Sequence, residues 1–274
     1  IVRVGEIPVT QGFVGSSPDG TLTTLGRGGS DYTASIIGAA VEATEIQIWT
    51  DVNGIMTTDP RVVSGARTIT NLSYEAAAEL AYFGAKVIHP LTIAPAIQNQ
   101  IPVRVLNSFD PNHPGTTICP SGCITAGSSP IIAIAFKRNI TVINIKSSKM
   151  LLATGFLASI FEIFRNKKVS VDMIATSEIS VSMTIDDESK LHLVMEDLQK
   201  LGEVTVNVAR TLVCLVGESL QSIPGVAARI FDALRNINIS MISHGASSSN
   251  VSLIISGEDT NQAIGNLHKE FFQT

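Results

Sequence analysis

The chain has 274 residues, of which 45% are hydrophobic and 16% charged, enough to bury the cores of two or three globular units. The formal net charge is −5 and no cluster of Lys and Arg is present, which argues against a nucleic-acid partner and favours small molecules. The most apolar stretch, residues 150–164, is too short to cross a bilayer and contains Glu162, so we predict no membrane segment.

The first 108 residues alternate strand-like and helix-like segments, which is typical of an α/β layer with parallel strands. The predicted elements are strands at 7–15, 45–50 and 102–107 and helices at 30–44 and 73–87. Ser30 or Asp31 can cap the first helix, and Ser73 can cap the second. The turn-rich segment 108–130 contains "DPNHPG", "CPSG" and "AGSSP" and predicts a linker with a domain boundary.

Cysteine usage indicates a reducing compartment, the cytoplasm or a plastid. The three cysteines, Cys119, Cys123 and Cys214, are odd in number and lack the dense spacing of a disulfide scaffold. Cys119 and Cys123 lie near His113, but a second pair of ligands is missing, so we predict no metal site. The chain starts at Ile1 without the basic start and apolar run of a signal peptide, and this start resembles a cut through a domain.

The C-terminal half repeats itself at an offset of 70 residues. Eight residues recur in register: Gly155, Ala158, Ile160, Phe161, Ser170, Ser177, Val181 and Ser182 return as Gly225, Ala228, Ile230, Phe231, Ser240, Ser247, Val251 and Ser252. Because no insertion is needed to keep this register, we predict one fold used twice.

Each copy can be divided into elements. The pattern of the first copy predicts the element order βαββαβ, with strands at 141–146, 171–177, 179–185 and 204–209 and helices at 156–168 and 189–201. The pattern of the second copy predicts the element order βαββα, with strands at 212–217, 239–245 and 250–256 and helices at 226–237 and 260–272. The second copy therefore lacks its last strand, while the apolar segment 131–136 is a spare strand ahead of the first copy. We predict that this segment completes the second copy, with the first copy inserted between. The predicted domains are 1–115, a linker at 116–130, a first module at 138–210, and a second module made of 131–137 and 211–274.

The arrangement of elements is similar to that of the ACT modules of amino-acid metabolism. Four longer sequence segments indicate the family more specifically. "TTLGRGGSDYTA" (23–34), "IWTDVNGIMTTDPR" (48–61), "FGAKVIHP" (83–90) and "VDMIATSEISVSMT" (171–184) resemble aspartate kinases in order and spacing. The C-terminal half is similar to lysine-sensitive plant-like and bacterial members.

The resemblance implies an α/β fold: the C-terminal part of an amino-acid-kinase α/β/α domain followed by two ferredoxin-like βαββαβ ACT domains, the first inserted in the second. It implies ATP-dependent phosphorylation of the L-aspartate side chain to 4-phospho-L-aspartate, with Mg²⁺, as the first step of lysine, threonine and methionine biosynthesis. Feedback inhibition through the ACT domains and a homodimer or larger assembly are also implied.

A glycine-rich turn with a helix start can hold an anionic group, because its backbone N–H groups and the positive end of the helix face the ligand. "GRGG" followed by Ser30 and Asp31 has this pattern. The resemblance implies that Arg27 clamps the substrate aspartate and that Asp31 lies near its amino group or supports the site. The implied substrate-binding set is Thr24, Arg27, Ser30 and Asp31, with Arg27 and Asp31 as catalytic residues. The alternative is a surface turn with a solvated Arg27.

The resemblance also implies a nucleotide site. Its residues are Thr50, Asp51, Met56, Arg61 and Lys86. Thr50 and Asp51 follow a predicted strand, where α/β sheets place binding loops, and the two cations can stabilise phosphates in the transition state. Met56 stands where many relatives carry an aromatic residue, so packing on the nucleotide differs here. The alternative for Arg61 and Lys86 is ordinary surface charge.

Two further points concern catalysis. His89 precedes Pro90 and is interpreted as a helix-start or core residue rather than a base, since a carboxylate attacks phosphorus without one. Aspartate kinases begin with a Lys-Phe-Gly-Gly-Thr type of phosphate loop, which this sequence lacks. We therefore expect half a catalytic site and no kinase activity from this chain alone. The missing half was truncated or belongs to a separate chain; the alternative is a non-catalytic amino-acid-sensing subunit.

The predicted effector site lies in the first module. Its residues are Met150, Gly155, Phe156, Leu157, Ser170, Val171, Asp172, Thr176, Ser177 and Glu178. Backbone N–H groups before the helix can bind a carboxylate, and the two acids, placed around one turn, suit a ligand with two ammonium groups. Lysine is such a ligand, and threonine and S-adenosylmethionine are the alternative ligands. The other interpretation is that the two acids are solvated charges at strand ends and bind no effector.

The resemblance implies that the effector-site segments meet across a dimer of first modules. In the second module Ile242 and Ser248 replace Asp172 and Glu178, so that module is predicted to be structural or to bind another effector.

Overall fold

The computed structural model describes residues 5–26, 28–83, 90–120, 129–151 and 153–273, with only the backbone at 90–93. Two compact units are present: Ile1–Pro60 with Gly65–Ser128, and Arg61–Ser64 with Ser129–Thr274. Within the described ranges, no helix combines the length and apolar character needed to cross a membrane.

The first unit contains a four-stranded sheet, a two-stranded ribbon and three helices. Its strands are β1 (Val14–Ser16), β2 (Leu22–Thr24), β3 (Ile46–Thr50), β4 (Asn71–Ser73), β5 (Val103–Asn107) and β6 (Thr116–Cys119), and its helices are α1 (Gly29–Ala40), α2 (Tyr74–Tyr82) and α3 (Pro90–Gln98). The sheet has the order β3-β5-β6-β4, and β1 pairs with β2. β3 runs parallel to β5 and β4 parallel to β6, whereas β5 and β6 are antiparallel. The sheet is therefore mixed, not purely parallel as the sequence indicates.

Two predictions for the first unit are wrong. The predicted strand 7–15 is reduced to its end, because only Val14 onward pairs, while Ile7 and Val9 are 88% and 93% exposed. Pro8 lies between these two residues and has no N–H to donate to a ladder. The segment 116–119, assigned to the linker, forms β6 inside the sheet and is largely buried. By contrast, Ser73 caps α2 as predicted, with its hydroxyl accepting from the Ala76 N–H.

The second unit contains one six-stranded antiparallel sheet and four helices. Its strands are β7 (Ile131–Lys146), β8 (Ile174–Thr176), β9 (Ser180–Ile185), β10 (Glu203–Gly217), β11 (Ile239–His244) and β12 (Asn250–Ser256), and its helices are α4 (Phe156–Lys167), α5 (Leu191–Leu201), α6 (Val226–Ala233) and α7 (Thr260–Phe272). The sheet order is β11-β12-β10-β7-β9-β8. Helix α6 ends at Ala233, four residues before the predicted end at Ile237.

Two long strands are shared between the modules. The sequence predicts separate strands at 131–136 and 141–146 and at 204–209 and 212–217, but each pair is continuous, as β7 and β10. The first part of β7 pairs with the second part of β10, from Leu212 to Gly217, and the second part of β7 pairs with the first part of β10, from Glu203 to Asn207. The ladder shifts register between Asn207 and Arg210, where the two modules meet.

This sharing gives each module the four strands of a ferredoxin-like fold. In the first module the sheet order is β10-β7-β9-β8, and in the second it is β11-β12-β10-β7. The predicted fold class is confirmed: the start of β7 supplies the strand that the second module lacks, and the first module is inserted in the second.

Each module has its own hydrophobic core. The first-module core packs helix residues such as Ile160, Phe164 and Leu198 against the strands. The second-module core is built in the same way around Ile230 and Leu267. Ile160 and Ile230 occupy corresponding places in the repeat, and both are fully buried. The repeat in the sequence is thus a repeat of core positions.

The short segment Arg61–Ser64 belongs to the second unit. Val62 and Val63 are partly buried and pack against the second-module core. The chain therefore enters the second unit briefly at residue 61, well before its main part begins at Ser129.

Candidate functional site

A glycine in the left-handed region sets the start of α1. Gly28 is the N-cap residue with φ 72° and ψ 12°, and no side chain caps the helix. The Gly29 N–H donates to Gly26 O at 3.0 Å, which closes the turn. Ser30 and Asp31 therefore lie in the first turn and are not caps, contrary to the prediction. Gly28 determines the start because glycine reaches positive φ without steric cost.

Hydrogen bonds hold the glycine-rich turn beside the β1–β2 ribbon. The Phe13 N–H donates to Thr33 Oγ1 at 3.1 Å, and the Leu25 N–H donates to Phe13 O at 2.8 Å. Thr24, at the end of β2, is exposed. Thr24, Ser30 and Asp31 thus belong to one locally ordered segment, whereas Arg27 lies outside the described residues.

Asp31 is a partly buried carboxyl group at the start of α1. Its carboxyl group lies in the first turn of α1, where the N–H groups and the helix dipole favour negative charge. Burial nevertheless raises the pKa of Asp31 above the ordinary value of 3.8. A cationic group placed beside Asp31 would relieve this cost, which fits a contact with the ammonium group of an amino acid.

A second group of predicted residues lies at the carboxyl edge of β3. Thr50 ends β3 and is aligned with Asn107, the end of the parallel strand β5. The Thr50 hydroxyl donates to Asp51 Oδ1 at 3.2 Å, and the Ser108 N–H donates to Thr50 O at 2.8 Å. Asp51 is exposed. This edge is where α/β sheets place ligand-binding loops, because strand ends diverge there into a crevice.

Thr116 anchors the adjoining loop and was not singled out from the sequence. Its hydroxyl accepts from the Ile55 N–H at 2.8 Å and donates to Ile69 O at 2.6 Å. Thr116 is fully buried and so ties together both sides of the short pairing in which Met56 faces Thr68. Thr116 lies inside a turn-rich stretch without a motif, so only the tertiary structure identifies this role.

The remaining nucleotide-site predictions concern Met56, Arg61 and Lys86. Met56 is half-buried in the first unit, whereas Arg61 is exposed and falls in the segment that belongs to the second unit. Lys86 and His89 lie outside the described residues. Among described residues, no group of three or more His, Cys, Asp or Glu side chains is arranged to hold a metal ion.

In the first module, part of the predicted effector site forms one end of the sheet. Gly155 caps α4 with φ 86°, so the N–H groups of Phe156 and Leu157 lie in its first turn. The Ser147 N–H donates to Ile179 O at 2.9 Å, which brings the loop before α4 next to the β8–β9 turn. We call this the loop end; its predicted residues are Met150, Gly155, Phe156, Leu157, Thr176, Ser177 and Glu178.

The other predicted effector residues lie at the opposite end of α4 and β8. Ser170, Val171 and Asp172 follow the C-terminus of α4, a helix of 12 residues and therefore about 18 Å long. The Asp172 N–H donates to Thr184 O at 3.0 Å, near the far end of β9. Within one chain Asp172 and Glu178 are thus separated, and the prediction that both lie around one turn is wrong. An extended strand carries side chains apart by about 3.3 Å per residue.

Asp172 is held by a cation of the same chain. Its side chain is only 6% exposed, and its Oδ2 atom lies 3.9 Å from Lys137 Nζ. Lys137 also contacts Asp186 Oδ2 at 2.7 Å. One ammonium group therefore lies within reach of two carboxylates.

Comparison with protein families identifies both halves of the chain. Residues 1–107 match the amino acid kinase family, and residues 143–199 and 213–271 match the ACT domain. Together with the fold, these matches define the class: part of an amino acid kinase domain joined to two ACT domains.

The relatives narrow the class further. The chain is 43% identical over 280 residues to the lysine-sensitive aspartokinase 3 of Escherichia coli, covering 99% of this chain and 62% of that protein. A crystal structure of E. coli aspartokinase III with aspartate and ADP matches with a TM-score of 0.84 and 43% identity, covering 96% of this chain and 60% of the other. The structure with lysine and aspartate matches with a TM-score of 0.80 and 44% identity, covering 96% and 59%. The chain is thus similar to aspartokinases over nearly its whole length, and it spans about three-fifths of the length of these relatives.

We expect Thr116→Val to destabilise the first unit by about 1–3 kcal/mol, because it leaves a buried N–H and a buried C=O without partners. Urea unfolding followed by circular dichroism measures this loss. Thr117→Val, in the same strand but only partly buried, is the matched control and should change stability little. Equal effects of the two substitutions would contradict the anchoring role.

We expect Asp31→Asn to be at least as stable as the parent at neutral pH. The raised pKa means that the stability due to Asp31 is full below the unfolded pKa and is lost as the pH rises through the folded pKa. Unfolding free energies measured from about pH 3 to about pH 7 should therefore fall less with pH in the variant. A variant that is less stable than the parent at neutral pH would refute the assigned burial cost.

Proposed function

We propose that the chain is the C-terminal part of an aspartate kinase that transfers the γ-phosphoryl group of ATP to the side-chain carboxylate of L-aspartate and is inhibited by L-lysine. The single observation that carries the proposal is 43% identity over 99% of the chain to a lysine-sensitive aspartokinase. Solved relatives that hold aspartate, ADP and lysine support the three ligands.

The glycine-rich turn is the proposed aspartate site. Asp31, at the start of α1, would pair with the substrate ammonium group, and Arg27 would bind a substrate carboxylate in bidentate fashion. Thr24 and Ser30 are exposed and hydroxylated, and they can donate to the same ligand. Holding the carboxylate nucleophile in place removes much of the entropic cost of reaction, since phosphoryl transfer needs positioning more than bond-making groups.

The carboxyl edge of β3 is the proposed nucleotide site. Thr50 and Asp51 would contact ATP, with Met56 packing against it, and Arg61 and Lys86 would offset phosphate charge. Mg²⁺ would arrive with the nucleotide phosphates, which supply several of its oxygen ligands. The metal would neutralise developing charge on the phosphates.

A second copy of the chain would complete the lysine site. β8 is hydrogen-bonded on one side, to β9, and is the last strand of the sheet in the described part of the chain. If two copies pair their β8 strands antiparallel about Ala175, Asp172 of one copy faces Glu178 of the other, because both are equally distant from Ala175. Two facing carboxylates repel each other, and an ammonium group of lysine between them offsets that repulsion. The N–H groups at the start of α4 would take the lysine carboxylate.

The product of the whole reading frame should form aspartyl phosphate, trapped with hydroxylamine as the hydroxamate, in the presence of ATP, Mg²⁺ and L-aspartate. This chain alone should not. Asp31→Asn in the longer product should lower activity at low aspartate by roughly tenfold or more, since it removes a charged contact. Asp232→Asn, an exposed acid on α6, is the control. Nucleotide binding without aspartate-dependent product would rule out the proposed activity.

Calorimetric titration of the chain with L-lysine should show saturable binding, and Asp172→Asn and Glu178→Gln should each weaken it by roughly tenfold. Glu162→Gln is the matched control, because Glu162 is an exposed acid of the same module that pairs with Arg165. Sedimentation velocity in parallel should show a dimer stabilised by lysine. Binding of threonine but not lysine would refute the charge argument.

A further inference from the structure

A cleft lies in the second unit where the two modules meet. It has a volume of about 420 Å³ and lies between the shared strands and the end of β12. Among the residues that line it are Arg138, Asn139, Ala209, Arg210, Gly257 and Glu258. None of the predicted effector residues is among the residues that line this cleft.

The cleft is distinguished by an arginine whose charge is not matched. Arg210 Nε is buried and has no hydrogen-bond partner, and within the described residues neither Arg210 nor Arg138 forms an ion pair. Arg138 Nη2 donates to the neutral Asn261 Oδ1 at 2.7 Å. An unpaired buried donor on a charged group costs free energy, and an anion placed in the cleft would recover it.

The backbone of the cleft is held in a conformation that is costly for its residues. Asn139 and Ala209 have φ angles of 60° and 53°, in the left-handed region, and they occupy corresponding places in the two repeats. The Gly257 N–H donates to Ala209 O at 3.0 Å, and a Cβ at Gly257 would lie 2.4 Å from that oxygen. Non-glycine residues keep such conformations only where the surrounding structure enforces them, which is common at binding sites.

We propose that this cleft binds a small molecule that carries a carboxylate or phosphate group, held by the guanidinium groups of Arg210 and Arg138. Arginine forks match both groups in bidentate geometry. Glu258 lines the same cleft and reduces the excess to one positive charge, which suits a single oxyanion group better than a polyphosphate. The ligand class therefore differs from the dicationic amino acid expected at the effector site.

The position of the cleft gives such binding a structural consequence. Arg138 belongs to β7 and Arg210 to β10, and both lie at the register shift where each strand passes from one module to the other. An anion between the two guanidinium groups would fix the junction of the modules. The ligand would therefore favour one relative placement of the modules and would stabilise the folded unit by mass action.

The test is calorimetric titration of the full chain with inorganic phosphate and, separately, with malonate, at constant ionic strength set with sodium chloride. We expect saturable binding of at least one anion at one site per chain, and the better ligand identifies the oxyanion group. Arg210→Gln and Arg138→Gln should each weaken binding by roughly tenfold. Arg235→Gln, an exposed arginine paired with Asp232, should leave it unchanged.

Arg138 is exposed, so its substitution should preserve the fold even if that of Arg210 does not. The absence of saturable binding of both anions would overturn the proposal, as would equal weakening by Arg138→Gln and Arg235→Gln. Lysine titration of the Arg138→Gln chain should be unchanged, which separates this result from the fate of the proposed kinase function.

Discussion

The antiparallel pairing of β7 with β10 is the constraint on which the C-terminal half depends. These strands are the central pair of the six-stranded sheet, and each contributes one part to either module. Neither module has four strands without the other, so neither can bury its helices on a complete sheet alone. The two modules should therefore fold as one cooperative unit, since elements that share the strands of one sheet lose stability together.

The sequence identifies this architecture because a repeated module repeats its buried positions. Ile160 and Ile230 recur in register because both face a core, and the surplus strand before the first copy reveals the missing strand of the second. What the sequence does not reveal is continuity. No residue type marks Asn139 or Ala209 as a place where a strand passes on in a left-handed conformation instead of ending in a turn. Local patterns predict elements, but they do not say when two elements are one.

The same distinction decides which site residues can be predicted from the sequence: those whose role follows from a local pattern can, and those whose role follows from tertiary contacts cannot. Asp31 could be found because a glycine-rich turn before a helix is a local pattern with a chemical meaning. Thr116 could not, since its importance arises from hydrogen bonds to Ile55 and Ile69, far away in sequence. The separation of Asp172 from Glu178 could not be predicted either. The number of residues between two side chains does not show whether both lie at the same end of a strand.

Residues 61–64 belong to the second unit although they lie between two segments of the first, and this affects where the chain can be cut into fragments. A recombinant fragment that stops at residue 128 would retain Val62 and Val63 but lose the core on which they pack, exposing two valines on its surface. A fragment that starts at residue 129 would lack the same two side chains and keep an uncovered apolar patch. Each half expressed alone should therefore aggregate more readily than the whole chain, and polar replacements at both valines would help only the fragment that contains them.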